Sequence, residues 1–220
     1  MPIQPTQIRI SDAEYLQRCD ALLENIRKRQ CNGVVVFDAD YIKYYSGFAF
    51  IPTERPMAFL LNAQGQRGLF VPRLEREHAK SASIADVVVD YAEYPQDTHP
   101  MTVLSQQMQD MSITGSVAVD TDGYPWLFGY RGPTLSDAAG VRVQPVRDLI
   151  EDQMAIKSAA ELNLLRESCR WANLAHQLLQ RYTRVGATET EVEMRASNEA
   201  TKTMLDAIGP VYRAQSSYYT

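Results

Sequence analysis

The 220-residue sequence predicts an α/β fold, a mixed sheet flanked by helices, and three observations predict it. Val34–Phe37 is a short, fully apolar, β-branched run that reads as a strand covered on both faces, and Val87–Tyr91 and Ser116–Asp120 read as further short strands. Segments with apolar residues at helical spacing lie between such runs. Two further runs, Met57–Leu61 and Gly68–Val71, are joined by Asn-Ala-Gln-Gly-Gln, a hairpin signal that makes the sheet mixed rather than purely parallel.

The elements follow in order. Ser11-Asp-Ala-Glu14 reads as a capping box opening a helix whose inward face is Tyr15, Leu16, Cys19, Leu22, Leu23 and Ile26. Arg27, Lys28 and Arg29 suit its C-terminal dipole, and Asn32-Gly33 is expected to end it in a left-handed turn. Val34–Phe37 is a buried strand; Asp38 and Asp40 cap the short helix after it and Gly47 closes that helix. After the hairpin come a charged helix, Arg73–Ser83, and the strand Val87–Tyr91. Met101–Met111 is helical behind Pro100, and Ser116–Asp120 and Val141–Val146 are strands.

Residues 148–157 read as a partly helical connection. Beyond it, Ser158-Ala-Ala-Glu161 is a capping box for a long helix ending at Gly186, with Leu162, Leu165, Cys169, Ala172, Leu178 and Tyr182 on roughly one face. Thr188-Glu-Thr-Glu191 opens another, broken at Gly209-Pro210. Two helices cannot bury their apolar faces alone, so residues 153–220 are expected to begin a second domain after a first spanning 1–152.

Composition narrows the function. A formal charge of −5 lacks the basic excess of a nucleic-acid binder. No apolar run approaches the ~20 residues of a membrane span, and the N-terminus has no secretory pattern. Cys19, Cys31 and Cys169 are odd in number and scattered, as expected of reduced thiols in a cytoplasmic protein. His78, His99 and His176 have no metal-ligand spacing, and Asp120-Thr-Asp122 before Gly123 reads better as a strand-end turn than as a paired-carboxylate site. Ser46 lies in no nucleophile elbow. In the aromatic loop Phe48–Pro56, Arg55 is either a ligand clamp or a surface ion pair with Glu54 or Asp40.

Gly33-Val-Val-Val-Phe-Asp, followed by Tyr41-Ile-Lys-Tyr-Tyr-Ser-Gly-Phe48, resembles the amino-terminal domain of the creatinase, prolidase and aminopeptidase P family. Leu69-Phe-Val-Pro-Arg-Leu-Glu75 is similar to that family's next strand and helix start, and Ala155-Ile-Lys-Ser-Ala-Ala-Glu161 resembles the entry into its "pita-bread" catalytic domain. The family's usual Asn before the Tyr is Asp40 here. The resemblance implies a ribonuclease H-like amino-terminal domain followed by the first helices of a truncated pita-bread α+β domain. It implies a hydrolase using two divalent metal ions (Mn, Co or Zn) on a proline-containing peptide or small amide, with the ligands beyond residue 220 and this chain alone inactive. It also implies a homodimer in which this domain walls the partner's active site. By the family's loop pattern Arg55, eighth from Phe48, would face substrate, whereas Thr53 replaces the aromatic of the creatinase branch. Two alternatives stay open: a non-catalytic peptide- or protein-binding relative, and a creatinase-like C–N hydrolase of a small amidino or amide compound. A third is a stand-alone α/β binding domain whose last two helices pack back on the sheet.

Overall fold

The computed structural model describes residues 8–93, 98–125 and 129–209. The chain divides into two compact units, Ser11–Ile156 and Lys157–Thr220 together with Met1–Ile10.

In the first unit six strands form one sheet in the order β4-β3-β2-β1-β5-β6. These are β1 (Gly33–Val36), β2 (Ala58–Asn62), β3 (Arg67–Pro72), β4 (Val87–Tyr91), β5 (Ser116–Val119) and β6 (Arg142–Pro145). β2 pairs antiparallel with both β1 and β3, while β3–β4, β1–β5 and β5–β6 are parallel. Five strands therefore point one way and β2 alone points back. The expected mixed α/β architecture is what the chain adopts.

Helices cover both faces, as the all-apolar strands require. Val34, Val36, Phe59, Leu61, Leu69 and Val71 face α1 (Asp12–Lys28), α2 (Ala39–Ser46), α3 (Arg76–Ala82) and α6 (Arg147–Ala155). Val35, Leu60, Phe70, Val117 and Val119, alternating with them, face α4 (Pro100–Asp110) and α5 (Leu135–Ala139). Asp38 caps α2 through the Asp40 N–H at 2.9 Å, and Gly47 ends it at φ +81°.

Several local expectations change. Helix α1 ends through Gln30 at φ +57°, not through Asn32-Gly33. Gly33 instead opens β1, where a Cβ would sit 3.0 Å from Ile113 and from the Leu61 carbonyl, so close packing explains it. Ser11 accepts from the Glu14 N–H at 3.2 Å, but the Glu14 carboxylate is turned toward Arg18, 2.6 Å away. The charged helix begins with a 3-10 turn, Arg73–Glu75. The connection at 148–157 is a full helix, α6. Helix α5, too short for a periodic signal, was not expected; Thr134 caps it.

In the second unit both capping boxes are formed, on α7 (Ala159–Tyr182) and α8 (Glu189–Ile208). Helix α7 stops at Tyr182, before Gly186. Leu164 and Trp171 pack toward Met204 and Ile208, while Leu162 and Leu165 are exposed, because α8 takes only one of the two apolar stripes of α7. Pro210 lies outside the described residues.

Candidate functional site

The tyrosine-rich stretch after β1 is a scaffold. Tyr41 donates to the Glu151 carboxylate at 2.8 Å, Tyr44 to the Gln153 carbonyl at 3.3 Å and Tyr45 to Gln153 Oε1 at 3.0 Å. Three hydroxyls thus fasten α2 to α6. Ser46 is fully buried, donating to the Ile42 carbonyl at 2.6 Å and accepting from the Phe48 N–H at 3.1 Å, so it is no nucleophile. Burial pushes the Cys19 thiol up to about 12, removing it as well.

The acidic pair is also structural. Asp120 accepts from the backbone N–H groups of Phe37, Asp38 and Thr121 at 2.7–3.1 Å and ties the end of β5 to the end of β1. Burial pushes its carboxyl up, against the opposing pull of those N–H donors. Asp122 accepts from the Ser136 N–H and hydroxyl at 2.8 and 2.7 Å at the start of α5. His78 is bonded to Glu75 at 2.9 Å, and no group of three metal-ligating side chains occurs among the described residues.

What remains open is a cleft of about 310 Å³ at the C-terminal edge of the five co-directional strands, where α/β sheets commonly bind ligands. Arg55 reaches it from the loop preceding β2, Tyr91 and Glu93 from the end of β4, His99 from the start of α4, and Tyr130 and Arg131 from the segment before α5. The Arg55 loop is held by a hydrogen bond from the Tyr124 hydroxyl to the Thr53 carbonyl at 2.6 Å; burial pushes that hydroxyl up to about 12, so it stays a donor. Gly132 lets Tyr130 close the wall, since a Cβ there would lie 1.9 Å from the Tyr130 hydroxyl oxygen.

Arg55 faces two carboxylates loosely, Glu54 at 3.7 Å and Glu93 at 3.9 Å. Its Nε is buried and has no hydrogen-bond partner among the described residues. Asp40 is not among its ion-pair partners. His99 Nδ1 accepts from the Met101 N–H at 3.1 Å, which places the ring proton on Nε2. Burial lowers the affinity of His99 for a second proton. Sequence reasoning singled out Arg55 alone; Tyr91, Glu93, His99, Tyr130 and Arg131 come from three separate segments with no shared local signal.

Residues 18–156 match the family model described as the Creatinase/Prolidase N-terminal domain. An uncharacterized peptidase of Staphylococcus haemolyticus is 21% identical over 190 residues, 85% of this chain and 50% of its own length. One from Staphylococcus aureus is 21% identical over 179 residues, 80% of this chain and 47% of its own. The chain thus spans about half the length of the curated relatives it matches. Among solved structures, dipeptidase PepE from Mycobacterium ulcerans has a TM-score of 0.65 at 22% identity, covering 90% of this chain and 51% of that one. The prolidase from Pyrococcus horikoshii has a TM-score of 0.63 at 21% identity over 86% of this chain and 48% of its own. At such identities the likeness establishes the fold.

Proposed function

The chain belongs to the family of the Creatinase/Prolidase N-terminal domain, and from that premise we propose that it is the amino-terminal part of a metal-dependent hydrolase of the Xaa-Pro dipeptidase kind. The family match over residues 18–156, most of the first unit, carries the reading. Relatives about twice as long, among them peptidases by name, support it.

In this reading residues 1–152 form the amino-terminal domain and 153–220 the first helices of the catalytic one. The two divalent ions belong to the remainder of the protein. The described residues of this chain offer no cluster that fits them, so no step on this chain runs through a metal. The chain works as one half of a cytoplasmic homodimer, and its domain walls the partner's active site. Arg55 is its substrate-facing residue, supported by its place in an open cleft and its loose ion pairs.

The test is hydrolysis of glycyl-proline by the longer protein, with and without a chelator, beside the 220-residue chain. Chelator-sensitive turnover by the longer protein and none by the chain is expected. Robust turnover by the chain alone overturns the reading.

A further inference from the structure

We propose that residues 8–10 are a strap that completes the second unit, anchored by Ile8, and that the first unit is therefore an insertion in the chain of the second. The chain passes from the second unit into the first after Ile10 and returns at Lys157. This moves residues 8–10 out of the amino-terminal domain, and it holds whether or not the longer protein is a hydrolase.

Helices α7 and α8 are joined by the short turn at 183–188 and form a hairpin. Toward the turn the hairpin closes on itself. Leu178 and Ala196 are buried there, and Tyr182 donates to the Glu199 carboxylate. At the open end two helices alone cannot finish a core. There Ile8, Met204 and Ile208 are buried together at 7, 6 and 5% exposure, and Leu164, Trp171, Leu205 and Ala207 pack against them. Arg9 beside the anchor is exposed, so one side chain, Ile8, makes the closure.

The first unit has the form of an insertion. Helix α1 follows directly on the strap, with Ser11 as its N-cap, and α6 has its C-cap at Ile156, the last residue before the return. The two helices run in opposite senses. Arg29, after the end of α1, meets the carboxylate of Asp148, at the start of α6, at 2.5 Å. Gln153, near the end of α6, donates to the Arg18 carbonyl of α1 at 3.0 Å. The chain thus enters and leaves this unit at the same end of one helix pair, the arrangement that lets a domain sit inside another chain. In the second unit the strap packs on Leu164, in the second turn of α7, so exit and return adjoin there as well. Ile8 and Met204 are far apart in sequence, and a folded first unit shortens the loop between them to the span of its own two ends, which lowers the entropic cost of closing the strap.

The experiment is hydrogen exchange, read by mass spectrometry, on the 220-residue chain and its Ile8→Asp and Ile8→Ala variants. Ile8→Asp places a charge in the apolar cluster. It should speed exchange at residues 204–208 and 159–171 by about tenfold or more, while the amides of β1, β2 and β3 keep their wild-type protection. Ile8→Ala only removes volume, so it should speed exchange of the same amides by a smaller factor. Unchanged exchange at residues 204–208 in both variants overturns the proposal. So does a rise that spreads equally into β1, β2 and β3, because Ile8 would then support the first unit as much as the second.

Discussion

The side-chain amide of Gln153 accepts the Tyr45 hydroxyl at 3.0 Å and donates to the Arg18 carbonyl at 3.0 Å, joining α2, α6 and α1 through one residue. Tyr45 is fully buried. Replacing Gln153 by Leu keeps the volume but orphans both groups, at a cost of about 2–4 kcal/mol. Urea unfolding should show this, and Tyr45→Phe in the Gln153→Leu background should cost less than in the wild type. Additive losses would mean that the two side chains are not coupled.

Asp120 fills three backbone donors that the ends of β1 and β5 would otherwise leave unpaired. Asp120→Asn turns one acceptor oxygen into an NH₂ group facing those donors. A loss of about 2–3 kcal/mol follows from removing charge-assisted bonds at a buried site, measured by chemical denaturation. A variant as stable as wild type would show that the strand ends do not depend on this carboxylate.

Gly132→Ala forces a Cβ into the Tyr130 hydroxyl. The ring has to leave the cleft wall, and overpacking of this kind costs about 1–3 kcal/mol. A lowered melting temperature is expected; an unchanged one would show that the Tyr130 ring is not packed against Gly132.

His99 gives a pH dependence with a definite sign. Burial makes it harder to protonate when folded than its usual value of 6.5, and its Nδ1 is already an acceptor for α4. The unfolded chain therefore binds the proton first as pH falls. Stability is full above 6.5 and is lost as pH drops from there toward the lower folded-state value. His99→Asn keeps a cap without a titrating group, so its melting temperature should fall less than that of wild type between pH 7.5 and 5.5. Equal falls would assign the dependence to other groups.

On the proposed function, Arg55→Ala in the longer protein should lower kcat/KM by the equivalent of about 2–5 kcal/mol if the guanidinium clamps a carboxylate. Arg55→Lys restores the charge but not the two parallel donors, so it should recover only part of the loss. Full recovery would reduce Arg55 to a point charge.

The sheet was legible at its centre because burial on both faces leaves an unbroken apolar run, as in Val34–Val36, and at its edge because Val87–Val89 keeps a β-branched run though only half-buried. Capping boxes announced α7 and α8 because both halves of the box are local. Illegible features were those set by distant contacts. Gln30 enters the left-handed region where glycine was expected, because Gly33 is needed for its lack of a Cβ three residues later. Helix α6 reads as a linker until Tyr41, Tyr44 and Tyr45 are seen to hold it. The cleft was legible only at Arg55, since Tyr91 and Tyr130 look like ordinary core residues in sequence.

The reversed direction of β2 has a consequence for how this protein can change. Among the described elements, every other connection at the cleft edge of the sheet leaves a strand rather than entering one. The Arg55 loop instead arrives from α2 and enters β2, moored by Gly47 at one end and by the Tyr124–Thr53 bond near the other. Of this loop only Glu54, Arg55 and Pro56 line the cleft, whereas Phe50, between the moorings, packs against the core. Exchanging Glu54 or Arg55 therefore rewrites the cleft lining while Phe50 and the register of all six strands stay in place.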